Sequence, residues 1–180
     1  MPTLRVTAGA LRGRRIPAPP DSTRPTSERA RQAFFNIVGR RIDGARFLDL
    51  FAGSGIFSFE AVSRGAKSAT AVDHDRRKVE AISRLAEKLD VPVSPVQGEV
   101  LTTFPRLSNK TFDVVYADPP YDFGQYDELL GGIDRHLSLG PEPVVAVEHR
   151  RRTDPFTITP KRLEFQRRAE YGEVWITFFA

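Results

Sequence analysis

The chain has 180 residues, 40% hydrophobic and 28% charged, with a formal net charge of +4 and no cysteine. That length supports one buried core without metals or cross-links, and the missing cysteine excludes a disulfide framework, a thiolate metal cluster and a cysteine nucleophile. No apolar run approaches the roughly 18 residues of a membrane span and no secretory h-region opens the chain, so a soluble, cytoplasmic protein is expected.

Residues 3–7 and 14–16 read as short extended pieces, and 17–25 as a proline-rich loop. A helix should follow, capped by Thr26 or Ser27 with Glu28 in its first turn. Ala30, Ala33, Phe34, Ile37 and Val38 repeat at helical spacing and predict its inward face, leaving Arg29 and Arg31 for other faces. Charge concentrates in this stretch: residues 1–46 hold ten arginines against three acids, whereas residues 47–180 carry 17 basic and 20 acidic groups. The expected organisation is a basic extension (1–46) packed on a core (47–180). An arginine fork pairs with phosphate in bidentate fashion, so the asymmetry points to a polyanion. A solvated face in an arginine-rich protein is the alternative, because 22 of the 27 basic residues are arginine.

From residue 46 the pattern alternates. Residues 47–51, 69–73, 93–97, 112–117 and 144–148 are short apolar or β-branched runs, each predicting a strand. Helices are expected over 55–64, along Val79, Ile82, Leu85, Ala86 and Leu89, and along Tyr126, Leu129, Leu130, Ile133 and Leu137. The stretch 94–107 gives no definite helix, since Pro105 limits one. Strands apolar on both faces and separated by helices imply a parallel sheet covered on both sides. Residues 163–168 and 174–179 are successive strands with no helix between, so at least one should run antiparallel. The expected fold is α/β, a doubly wound, mostly parallel sheet with an antiparallel edge. Ligands of such sheets bind at the carboxyl ends of the strands, near the point where strand order reverses.

The first of these strands runs into Asp49-Leu50-Phe51-Ala52-Gly53-Ser54-Gly55. Its glycines allow a sharp turn and a close backbone approach to a ligand. Ser58 stands where a dinucleotide fingerprint has its third glycine, and no P-loop lysine follows, which favours a nucleoside without a pyrophosphate. Asp73 ends the second strand, where a carboxylate can accept hydrogen bonds from ribose hydroxyls. A plain tight turn with Asp73 capping the next helix is the alternative, although Asp75 is the better cap.

Asp118-Pro119-Pro120-Tyr121 follows the fourth strand and should lie at the same sheet edge. Successive prolines fix φ and make a rigid shelf. The Asp118 carboxylate and the Pro119 carbonyl can grip the two protons of an exocyclic amine, favour a pyramidal nitrogen and aim its lone pair at an electrophile. Tyr121 offers a face for an extruded base. A proline-terminated strand with an exposed turn is the alternative.

With these motifs in place the chain resembles S-adenosylmethionine-dependent methyltransferases of the Rossmann-like, seven-strand class. More narrowly, it is similar to the bacterial small-subunit rRNA methyltransferase D family, which methylates N2 of a guanine in 16S rRNA. The resemblance spans nearly the whole chain: Arg5-Val6-Thr7-Ala8-Gly9 with Arg12-Gly13-Arg14; Arg24-Pro25-Thr26 with Arg29, Phe34, Phe35 and Asn36; the glycine loop; Glu60-Ala61 with Ser63-Arg64-Gly65-Ala66; Asp118-Pro119-Pro120-Tyr121; and Tyr171-Gly172. It implies that Asp49, Phe51, Ala52, Gly53, Ser54 and Gly55 hold the methionine part of the cofactor. Asp73 would bind ribose, with His74 beside adenine and Asp118 bordering both cofactor and base. Glu99 and Val100 occupy the stretch that touches adenine, Glu99 standing where the family has Asp or Asn.

Arg150, Arg151 and Arg152 follow the fifth strand and should meet substrate phosphates together with Arg12, Arg14 and Arg15; an exposed charge run is the alternative. Arg5, Arg24 and Arg29 complete the expected RNA-contacting set. His74, His136 and His149 lack metal-ligand spacing, so no metal is expected, and Trp175 should be core. The expected partner of a monomeric enzyme is small-subunit rRNA, naked or in an assembling subunit. The rivals are a DNA adenine-N6 or cytosine-N4 methyltransferase, a protein glutamine methyltransferase, and a non-catalytic RNA-binding module.

Overall fold

Alternating side chains along the central strands decide the architecture. Phe47, Val114 and Ala146 pack into one hydrophobic cluster, while their neighbours Leu48, Val115 and Val145 pack into a second, on the other side of the sheet. In the computed structural model, which describes residues 2–18, 28–120, 122–150 and 154–180, the N-terminal elements are β1 (Thr3–Arg5), β2 (Arg15–Pro17), α1 (Glu28–Val38) and a 3-10 turn (Gly39–Ile42). There follow β3 (Arg46–Leu50), α2 (Ile56–Ser63), β4 (Ser68–Asp73), α3 (Arg76–Leu89), β5 (Val93–Gln97) and α4 (Val100–Leu107). The chain ends with β6 (Thr111–Ala117), α5 (Tyr126–His136), β7 (Ser138–Arg150), β8 (Phe165–Tyr171) and β9 (Val174–Phe179). Among the described residues no helix is long and apolar enough to cross a membrane.

Seven strands form one sheet in the order β5-β4-β3-β6-β7-β9-β8. Strands β3 to β7 pair in parallel, and both pairings at the far edge, β7 with β9 and β9 with β8, are antiparallel as expected. The strand that runs against the others is β9, one place in from that edge. The opposite edge strand carries Pro95, whose missing N–H a central strand would not tolerate. From β3 the chain moves out to β4 and β5, then returns to β6 on the other side, so order reverses between β3 and β6. One face is covered by α1, α2 and α3, the other by α4 and α5.

Two elements differ from expectation. Helix α4 forms despite Pro105, because Val100, Phe104 and Leu107 are buried in the second cluster and that packing outweighs one lost backbone bond. Strand β7 begins at Ser138, but its register against β6 jumps from Leu139 to Val144, where Pro141 and Pro143 have no N–H to offer a ladder.

The β1–β2 hairpin lies against α1 and α2 with Val6 and Ile16 fully buried. Its turn is fastened to the end of α2: Ala10 N–H donates to Ser63 C=O (2.8 Å) and Leu11 N–H to Ser63 Oγ (2.9 Å). Gly9 is obligatory there, with φ +81° and a would-be Cβ 1.7 Å from the Ser63 oxygen. Further along, Glu60, fully buried, accepts from Thr7 N–H and hydroxyl, from Arg31 Nε (3.2 Å) and from Arg64 Nε and Nη2 (3.0 and 2.8 Å). Arg31 is thus a correction to the sequence reading. It is 1% exposed, on the inward side of α1, because Glu60 and the Arg5 carbonyl (2.7 Å) receive it. Ala33 and Ile37 are only half-buried, while Phe35 takes an inward position. Trp175 is half-buried rather than core, with the Arg168 guanidinium 4.7 Å over its ring.

Candidate active site

At the reversal point two backbone bonds bring three strand ends together. Ala52 N–H donates to Val72 C=O (2.9 Å), tying the glycine loop to β4, and Asp118 N–H donates to Leu50 C=O (3.3 Å), tying the proline shelf to β3. The loop turns hard. Phe51 sits at φ +65°, a left-handed conformation that costs a non-glycine residue on the order of 1–3 kcal/mol and is typical of functional sites. Gly55 follows at φ +76°, where a Cβ would lie 3.0 Å from the Ile82 side chain, so α2 starts in close contact with α3.

Ser58, in place of the third glycine, has a clear task. Its N–H (3.1 Å) and hydroxyl (2.8 Å) both donate to Asp49 Oδ2, bracing β3 against the first turn of α2. Asp49 is 2% exposed, and burial pushes its carboxyl up to about 7. The Ser58 bonds oppose that rise, and the charges of Asp118 and Asp73 add to it.

Asp73 is held from behind by two amides: Gly53 N–H donates to Oδ2 (2.8 Å) and Asp75 N–H to Oδ1 (2.9 Å). Asp75 is the cap of α3, accepting from Arg77 N–H (2.8 Å), so Asp73 is not needed for that purpose.

These ends enclose a cleft of about 600 Å³. Of the residues singled out in the sequence, Phe51, Gly53, Asp73, His74, Glu99, Val100, Asp118, Pro119 and Pro120 line it. Ala52 and Gly55 are buried and Ser54 half-buried in the loop; these three and Asp49 lie behind the lining. Glu99 is exposed at the start of α4, and its side chain makes no capping bond. Tyr121 lies outside the described residues. No group of three or more His, Asp or Glu among the described residues could hold a metal.

The structure adds wall residues that the sequence reading passed over. Phe51, Phe123 and Tyr126 form an edge-to-face row with centroids 5.3 and 5.1 Å apart. The Tyr126 phenol is pushed up to about 12 by burial and by the charges of Asp118 and Glu148. Glu148 and His149, at the carboxyl end of β7, also line the cleft. Tyr116 O–H donates to Glu148 Oε2 at 2.5 Å. His149 Nε2 lies 2.7 Å from the Thr177 hydroxyl, and burial lowers its pKa. Their position at a strand end was itself the available clue.

The arginines divide. Arg150 is at the cleft. Arg12 is at the hairpin turn beside Ser63, hence at the opposite edge of the sheet, so these two are not brought together. Arg14, Arg15 and Arg29 are exposed, and Arg5 is exposed 3.6 Å from Glu28. Arg24, Arg151 and Arg152 lie outside the described residues.

The family described as Conserved hypothetical protein 95 matches residues 4–180. A Bacillus subtilis protein named putative rRNA methyltransferase YlbH is 30% identical over 182 residues, 98% of this chain and 98% of that protein. The Escherichia coli ribosomal RNA small subunit methyltransferase D is 31% identical across 81% of this chain and 74% of its own length. The solved structure of a putative methyltransferase, yhhF, from Escherichia coli superposes with a TM-score of 0.86 at 28% identity, covering 99% of this chain and 97% of that one.

Proposed function

The chain belongs to the Conserved hypothetical protein 95 family, and from that premise we propose that it transfers a methyl group from S-adenosylmethionine to the exocyclic N2 of a guanine in small-subunit (16S) ribosomal RNA. The bond from Asp118 N–H to Leu50 C=O carries this reading, because it sets an amine-gripping shelf against a glycine loop over one cleft. The names of the relatives support rRNA as the substrate class.

The cleft fits the methyl donor. Its volume falls in the roughly 300–1,000 Å³ range of small-molecule sites. Asp73, 4% exposed and oriented by two amides, is a ready acceptor for ribose hydroxyls. Phe51 and Gly53 would hold the methionine end, and His74, Glu99 and Val100 would border adenine. When bound, S-adenosylmethionine supplies an electrophilic methyl group on a sulfonium.

The chain's own residues do the rest. The Asp118 carboxylate and the Pro119 carbonyl accept the two amine protons of a flipped guanine, localising the nitrogen lone pair and directing it across the cleft. Tyr121 stacks on the base. The N–H becomes acidic only as methyl arrives, and its proton leaves to Asp118 or to water. Arg5, Arg12, Arg14, Arg15, Arg24, Arg29 and Arg150–152 meet RNA phosphates.

The test is methyl transfer to small-subunit rRNA, naked and in partly assembled particles, followed by identification of the modified nucleoside. N2-methylguanosine is expected; methylated adenine or cytosine, or no transfer, overturns the reading. With the same RNA, Arg14→Ala should lower the salt dependence of affinity by about 0.7–0.9 per lost phosphate contact, and an unchanged slope removes that arginine from the interface.

A further inference from the structure

We propose that Glu148 reads the Watson–Crick edge of the target base by accepting the guanine N1–H, and thereby makes this site select guanine over adenine and cytosine. The inference rests on the reading of the cleft as an amine-methylating site, and adds to it the residue that chooses the base.

Register places the two carboxylates side by side. Strands β6 and β7 are parallel and matched through Ala117 and Val147. Asp118, the first residue past β6, and Glu148, still within β7, come next along two paired strands that run about 4.8 Å apart. Both line the cleft, so whatever Asp118 grips lies next to Glu148. The phenol of Tyr126 responds to both charges, which places them in one local field.

Glu148 is also fixed in orientation. It is 8% exposed, and Oε2 receives the hydroxyl of Tyr116 at 2.5 Å. Tyr116 is itself 1% exposed and stacked on Phe57, with centroids 3.9 Å apart and planes 13° from parallel. The carboxylate is thus carried by a central strand and braced by a packed ring, which is the support a recognition group needs. A carboxylate has about four lone-pair positions, so a braced Glu148 can still accept a base N–H.

Guanine is the base this arrangement suits. Its exocyclic amine is flanked by N1–H, a donor. In adenine and cytosine the ring nitrogen beside the amine is an acceptor, so a carboxylate would face a lone pair and both groups would be desolvated without a bond. Rejection by such unpaired polar groups is far stronger than rejection by shape.

The experiment replaces the target guanine, at its mapped position in the rRNA, with 2-aminopurine. That analogue keeps the methyl-accepting amine and turns N1 into an acceptor. The wild-type protein should prefer guanine by at least about 100-fold in kcat/KM. Glu148→Gln, whose amide can donate to N1, should cut the preference at least about tenfold through slower guanine and faster 2-aminopurine turnover. A merely structural role would slow both RNAs equally and leave the ratio unchanged, which would overturn the inference. Should the variant fail to fold, the wild-type ratio decides: equal use of the two RNAs overturns the inference and leaves N2 methylation standing. Absence of N2-methylguanosine from wild-type reactions overturns both.

Discussion

Glu60 and Asp73 are almost equally inaccessible, at 0% and 4% exposure, yet their surroundings are opposite in character. Glu60 is surrounded by donors from the hairpin, from α1 and from its own helix: Thr7, Arg31 and Arg64 all converge on it. Asp73 is held by the Gly53 and Asp75 amides, with the His74 ring 3.7 Å from Oδ1, and fronts onto the cleft. Glu148 follows the same plan, braced by Tyr116 at the cleft wall. A carboxylate enclosed by cations and hydroxyls fastens one element to another, whereas one fixed by amides or a phenol at a wall is oriented for something that arrives later. The hairpin side therefore fastens elements together, and the strand-end side leaves its carboxylates facing the cleft.

Substitutions on each side should separate these properties. Asp118→Ala is expected to lower kcat about 10³-fold or more, while cofactor affinity by calorimetry and the thermal midpoint stay close to wild type. Near-normal turnover in a tritium-transfer assay would erase the contrast at its functional end.

Glu60→Gln should act in the other currency, lowering unfolding free energy by about 3–5 kcal/mol in a denaturant titration. It leaves Arg31 buried without a counter-charge, and Nη1 of that arginine already has no partner among the described residues. The folded protein should still bind cofactor in the cold. Wild-type stability would show that the Glu60 cluster fastens nothing.

The third test concerns a carboxylate between the two regions. Asp49 titrates near 7 in the folded protein against a reference of 3.8, so the native state binds its proton more tightly than the unfolded chain. Its stabilising contribution is full below pH 3.8 and is lost as pH rises towards 7. Relative to Asp49→Asn, the wild type should thus lose on the order of 4 kcal/mol between pH 4 and pH 8. A pH-independent difference would mean that Ser58 offsets the burial completely.

Much of the site could be read in advance where the chemistry is local. The glycine loop, Asp73 and the proline shelf each announce themselves through turn residues at a strand end. Glu148 and Tyr126 did not, because the first looks like one more charge at the end of a strand and the second like a helical apolar position. Arg31 was misplaced for a related reason: a single arginine carries no mark of the Glu60 that will bury it, 29 residues away.

By itself the sequence determined the alternation of strands and helices and the motifs at the strand ends, since periodicity and turn geometry arise between near neighbours in the chain. The tertiary structure alone decided which charges are internal and which carboxylates share a wall. Thr7 meets Glu60 across 53 residues, and Tyr116 meets Glu148 across 32. Whether such a group is desolvated and paired depends on which elements pack together, and no local pattern records that.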